Sequence, residues 1–206
     1  GQYGRVTLSA NRTVSFWIEA KIPAEAQAGL YPITLTVSDA DGKTLASESL
    51  ELEIIDAVLP EQKLIYTEWF HCDCLATYYG VDVFSEAHWR IIENFVQTAA
   101  ENGINMLLMP VFTLPLDTEI GGERPTTQLV GVEKTADGYT FDFSLVGRWL
   151  EMCGRHGIRH HEISHLFTQW GAEHAPKIMA TVNGKYEQIF GWDTDSLSDE
   201  YIGFLR

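Results

Sequence analysis

The hydrophobic rhythm of this chain changes near residue 58, and that change constrains the fold more than any other feature. Before it, apolar and polar residues alternate with period two in "RVTLSA" (5–10), "TVSFWIEAKI" (13–22), "YPITLTVSDA" (31–40) and "SLELEIID" (49–56). Period two is the rhythm of a half-buried strand. Asp39-Ala40-Asp41-Gly42 reads as a turn between two of these runs, and Pro23 and Gly29 punctuate a loop. The expectation for 1–57 is a partial β-sandwich of Ig-like antiparallel strands. Four or five strands are thin for an independent sandwich, which predicts partner strands before Gly1. "VLPEQ" (58–62) reads as the linker.

From residue 63 the pattern becomes strand then helix. "KLIYTEWF" (63–70) reads as a buried strand. "SEAHWRIIENFVQTAAENG" (85–103) reads as a helix, with Ser85 as N-cap, Gly103 as stop, and Trp89, Ile92, Phe95, Val96 and Ala99 on one stripe. "INMLLMPVF" (104–112) is a second buried strand. "FSLVGRWLEMCGRHG" (143–157) is a second helix, and "IRHHEISHLF" (158–167) begins where a third strand is due. Such alternation predicts a parallel sheet with helical crossovers. The connecting segments 71–84, 113–127 and 168–192 are long and read as loops, which at this length are functional. They follow the strands' carboxyl ends, where parallel barrels carry their sites. An eightfold barrel needs about 250 residues, so 63–206 is expected to be the first half of a TIM-like (β/α)8 barrel.

Composition narrows the partners. Hydrophobic residues make up 45% and charged residues 21%, enough for a packed core. The net charge of −15 argues against nucleic acid or an anionic membrane surface. No run reaches the roughly 18 apolar residues of a membrane span. Cys72, Cys74 and Cys153 form an odd set that fits free thiols better than a disulfide framework.

His161-Glu162-Ile163-Ser164-His165 spells the H-E-x-x-H of zinc proteases. That pattern works on a helix, where residues four apart are stacked. Here it follows a helix that stops at Gly157. In a strand, residues four apart are separated by about 13 Å, too far to share a zinc. His71, Cys72, Asp73 and Cys74 are consecutive and cannot converge tetrahedrally. No metal site and no cofactor is expected.

"TEWFHCDCLATYYGVDVFSEAHWRIIENF" (67–95), "MPVFTLPLDTEIGGERPTTQLV" (109–130), "EISHLFTQWGAEHAPKI" (162–178) and "IFGWDTDS" (189–196) resemble glycoside hydrolase family 123, the bacterial β-N-acetylgalactosaminidases. The resemblance covers about 64–206, and the preceding strands resemble that family's N-terminal β-sandwich. It implies a glycan partner with terminal N-acetylgalactosamine. It also implies substrate-assisted retaining catalysis, in which the 2-acetamido oxygen attacks the anomeric carbon. An adjacent Asp–Glu pair drives that chemistry, the Asp orienting the acetamido group and the Glu serving as acid and then base. The family pair sits in an "SDEP"-like string. The nearest echo here, Ser198-Asp199-Glu200, is followed by Tyr201 and reads as a helix start. The pair is therefore expected beyond residue 206, with no catalytic residue in this chain.

The rim is left with Trp69, Trp170 and Trp192 as candidates for a sugar floor, and His71, Asp73, His165 and Gln169 as hydroxyl-binding candidates. Glu68 and Asp193 stand nearby. The plain alternatives are core filling for the indoles, a turn cap for Asp73, and a satisfied core histidine for His165. Asp117 and Arg124 are expected to pair across the 113–127 loop. Open strand edges predict self-association of this chain when it stands alone.

Overall fold

The computed structural model describes residues 6–7 and 9–206. The chain divides into two compact units, Gly1–Glu61 and Gln62–Arg206. Residues 5 and 8, on which the 5–10 strand expectation rests, lie outside the described set.

In the first unit, β1 (Gly29–Ser38) and β2 (Thr44–Ile54) form one antiparallel hairpin. The turn is held by Asp39, whose Oδ1 accepts from the N–H groups of Asp41 and Lys43 at 3.0 and 2.9 Å. Register gives the hairpin two faces. Ile33 is opposite Leu50 and Tyr31 opposite Leu52 on one, and Thr34 is opposite Ser49 and Thr36 opposite Ser47 on the other. The hydroxyl pairs on the polar face lie 3.1 and 3.4 Å apart. The 13–22 run is not a strand, contrary to its alternation. Its Phe16, Trp17 and Ile18 are exposed. Alternation supplies a face, but a strand also needs a partner.

The second unit is mixed α/β. Parallel strands β3 (Thr67–Glu68), β4 (Met106–Met109) and β7 (His160–Ile163) make a three-stranded sheet in the order β3-β4-β7. The stretch 63–70 yields only two paired residues, and Leu64, Ile65 and Tyr66 are exposed rather than buried. Its strand is the edge, so one side lacks a cover. Helix α2 (Glu86–Glu101) crosses from β3 to β4, and α3 (Ser144–Arg155) leads into β7. The Ser85 side chain accepts from the His88 N–H at 3.3 Å, and Gly103 takes φ +87° just past the end. Trp89, Ile92 and Val96 are buried, whereas Phe95 is exposed at the margin of the stripe. These three pack with Leu107, Met109, Trp149, Met152 and Ile158 into one core.

Two segments expected as loops are built. Residues 71–84 contain α1 (Cys72–Tyr79), which ends on Gly80 in the left-handed conformation. Residues 168–192 contain β8 (Ile178–Val182) and β9 (Lys185–Phe190), joined at Asn183-Gly184 with both residues at positive φ. They join β5 (Gly131–Thr135) and β6 (Gly138–Asp142) in a four-stranded sheet, order β6-β5-β8-β9. Gln128 fastens this sheet. Its Nε2 donates to the carbonyls of Val130 and Met179, and its Oε1 accepts from Met179 N–H. Helix α4 (Asp199–Leu205) starts at Ser198, whose Oγ accepts from Tyr201 N–H. Tyr201 and Phe204 close a second core over Val132, Ile178 and Phe190.

All three cysteines are free. Burial pushes the thiol of Cys153 up to about 12 and that of Cys72 higher still, leaving both inert. Among the described residues no helix is long and apolar enough to cross a membrane.

Candidate functional site

The HEISH run is extended. His160–Ile163 form β7, and the strand ends before His165. His161 lies level with Leu107 and Glu162 with Leu108, so the two side chains leave opposite faces of the sheet. Burial and neighbouring His160 hold the His161 imidazole below its ordinary range. Among the described residues, no group of three His, Cys, Asp or Glu side chains is placed to hold a metal.

The carboxyl ends of β3 and β7 carry the first cluster. Trp69 immediately follows β3 and is 49% exposed. Its indole Nε1 donates to Glu162 Oε2 at 3.1 Å. His165 meets it edge-on, with ring centroids 5.3 Å apart at 79°. The buried Nδ1 of His165 has no protein partner. Nearby, the Tyr66 hydroxyl donates to Glu68 Oε1 at 2.6 Å, and that carboxylate raises the phenol's pKa.

The second cluster surrounds the start of α1. His71 Nε2 lies 3.0 Å from Asp117 Oδ2. Burial and the Arg124 charge lower the His71 pKa, against the opposing pull of Asp117 and Asp73. Asp73 is buried and accepts from Arg124 twice, Nε to Oδ2 at 3.0 Å and Nη2 to Oδ1 at 3.2 Å. Arg124 therefore pairs with Asp73, and Asp117 with His71, in place of the expected Asp117–Arg124 pair. The swap follows from α1: as a helix, 72–79 brings Asp73 in its first turn against the loop. Arg124 also donates to the Leu116 carbonyl and to Cys74 Sγ.

The loop after β4 ties these groups to the rest of the rim. Gln169 Oε1 accepts from Asp117 N–H and its Nε2 donates to the Thr118 carbonyl, both at 3.1 Å. Trp192 Nε1 donates to the Gly122 carbonyl at 2.7 Å, and its ring lies 5.6 Å from that of His174. Glu123 meets Lys177 and Gln188, each at 3.1 Å. Trp170 is 62% exposed on left-handed backbone, φ +70°, followed by Gly171 at +106° and Ala172 at +58°. Non-glycine residues hold such angles only where their surroundings impose them. Beside them, His174, Asp193 and Asp195 line a shallow cavity.

Glu162 was legible only as a letter in a zinc motif. Its bond to Trp69 spans 93 positions, and no local pattern carries that. The Asp73–Arg124 pair spans 51.

The carboxyl ends of the parallel sheet hold an exposed indole among fixed polar groups, and the family match gives the class, a glycoside hydrolase catalytic domain. Residues 69–206 match the family described as "Glycoside hydrolase 123, catalytic domain". The chain belongs to glycoside hydrolase family 123. A solved family 123 glycoside hydrolase from Clostridium perfringens, from work on glycolipid glycan hydrolysis, is similar at TM-score 0.63 and 20% identity. That likeness covers 90% of this chain and 33% of the other, so this chain spans about a third of that structure's length. A comparison with curated proteins gives no match.

Proposed function

We propose that this chain contributes the first part of a retaining β-N-acetylgalactosaminidase that works by 2-acetamido-assisted catalysis. Family membership supports glycoside hydrolysis. The observation that carries the substrate side is Trp69, half-exposed beyond β3 and fixed by Glu162 and His165. An indole face of this kind takes the apolar face of a pyranose, while neighbouring polar groups select its hydroxyls.

In this reading the β1–β2 hairpin belongs to a β-sandwich, and β3, β4 and β7 open a (β/α)8 barrel. Trp69, Trp170 and Trp192 supply the floor of a site for terminal N-acetylgalactosamine. His165, with an unpartnered Nδ1, meets a hydroxyl. His71, Asp73 and Gln169 act less directly, since their polar atoms already hold the 113–127 loop. That fixed loop is what orients the sugar at low entropic cost. The acid–base step needs an Asp–Glu pair, and the capping reading of Ser198-Asp199-Glu200 is supported by the Ser198 cap on α4 and by Glu200 pairing with Lys134 at 2.8 Å. The extended form of the HEISH run leaves the zinc-peptidase reading without its helix.

The test is hydrolysis of an aryl N-acetyl-β-galactosaminide by the full-length protein, with product stereochemistry followed by NMR. Release with retention, and competitive inhibition by a thiazoline analogue of the oxazolinium intermediate, are expected. An inverted product would refute the acetamido route. Sugar binding without turnover would refute the enzyme and leave a lectin-like protein.

A further inference from the structure

Three strands of the sheet place Trp69, Leu108 and Glu162 in one row. Leu108 is the register partner of Glu162. Glu68 is the partner of Leu107, so the next residue, Trp69, falls level with Leu108. This row lies on the face away from α2 and α3. Leu107 and Met109 pack among those helices, whereas Leu108 clusters apart with Leu114 and Leu116. The backbones of β3 and β7 are two strand spacings apart, roughly 10 Å. Only a long side chain from each strand can close that gap. The indole N–H and the carboxylate do so at 3.1 Å.

This bond ties the half-exposed Trp69 to a residue 93 positions away on another strand. An indole half in water can satisfy its N–H with solvent, and a carboxylate can do the same. Packing alone asks for neither to be held. A surface that must receive a ring face does require it, because an indole free to change rotamer has to be ordered each time a ligand binds. His165 closes the edge of the same ring, so two contacts from β7 and the residues just after it fix an aromatic plane supplied by β3.

We propose that Glu162 is a positioning residue: it holds the Trp69 indole as a rigid platform on which the substrate's pyranose ring stacks. The inference rests on the glycosidase reading for the identity of the sugar, though not for the bond itself. Glu162 touches neither the sugar nor the reacting atoms in this role. Its charge strengthens the indole bond, and its place on a central segment of β7, rather than on a loop, sets the ring's position.

The experiment uses the full-length protein with ¹⁵N-indole-labelled tryptophan, the Trp69 resonance being assigned by Trp69→Phe. In wild type that N–H should resonate downfield and exchange slowly with solvent. Glu162→Ala should move it upfield and expose it to exchange, and Glu162→Gln, which keeps an acceptor oxygen, should restore most of both. Added N-acetylgalactosamine should shift the Trp69 resonance. In kinetics with the aryl glycoside, Glu162→Ala should raise KM about three- to tenfold, the ordering cost of one freed side chain, with kcat little changed and Glu162→Gln close to wild type. An unaltered Trp69 resonance in Glu162→Ala overturns the proposal, as does sugar that shifts other indoles and not this one. A fall in kcat at constant KM also overturns it, since Glu162 would then act in the chemical step. Absence of turnover by the wild type, with a sugar-sensitive Trp69, sinks the enzyme reading and leaves the platform standing.

Discussion

Removal of the Arg124 guanidinium should be among the costliest single changes in the second unit. The Arg124 side chain is 11% exposed and that of Asp73 4%. Arg124→Ala deletes both bonds to Asp73 and leaves a carboxylate buried without a partner. Breaking a buried pair in this way costs about 3–5 kcal/mol, a large share of the roughly 5–15 kcal/mol that holds a domain folded. At about 2–4 °C per kcal/mol for a chain of this size, the unfolding midpoint should fall by about 6–20 °C. The assay is urea and thermal unfolding followed by tryptophan fluorescence in a Trp17→Phe background, so that every remaining indole belongs to the second unit. Asp73→Leu combined with Arg124→Met should recover much of the loss, since it strands no charge. Because the pair is buried, 0.5 M salt should change the difference little. An Arg124→Ala cost below about 1 kcal/mol, the range of exposed ion pairs, would refute the reasoning.

Gln128→Leu removes two hydrogen bonds that join the 128–130 segment to β8 and a third within that segment, to the Val130 carbonyl. It should cost about 1–2 kcal/mol, because the part-buried Met179 amide is left without its partner, read by the same unfolding assay. Ser198→Ala should cost about 1 kcal/mol through loss of the α4 cap. Acidification from pH 7.5 to 5.5 should lower stability: the folded pKa of His71 and of His161 lies below the ordinary value, so the unfolded chain binds more protons in that window. His71→Gln should flatten this slope between pH 5.5 and 7.5. A slope unchanged in His71→Gln would assign the effect elsewhere.

Local signals were legible wherever chemistry is local. Ser85 and Ser198 mark helix starts through their hydroxyls, and Gly103 and Gly157 mark helix stops through their access to positive φ. The extended state of the HEISH run followed from the stop at Gly157. Helix α1 was hidden because its N-cap, His71, makes no side-chain capping bond and its last turn carries the exposed Tyr78 and Tyr79. Only Gly80 announced it. The β8–β9 hairpin did have a strong mark, Asn183-Gly184 between alternating runs. That mark is embedded in the long stretch 168–192, whose length and flanking polar residues are those of a loop. The partners of Asp73, Trp69 and Gln128 are set by tertiary packing across about 50 to 90 positions, and no spacing rule reaches that far.

The sheet fastened by Gln128 draws β5 and β6 from the stretch between β4 and α3, and β8 and β9 from the stretch between β7 and α4. Its middle contact, β5 against β8, joins the two excursions in parallel through Glu133–Thr181 and Lys134–Val182. Neither excursion can then gain or lose a residue alone without shifting the other's register. Sequence drift should therefore alter the two together. The 113–127 connection has no strand of its own, and side-chain ties from Asp117 to Gln169 and from Arg124 to Asp73 hold it where no ladder does.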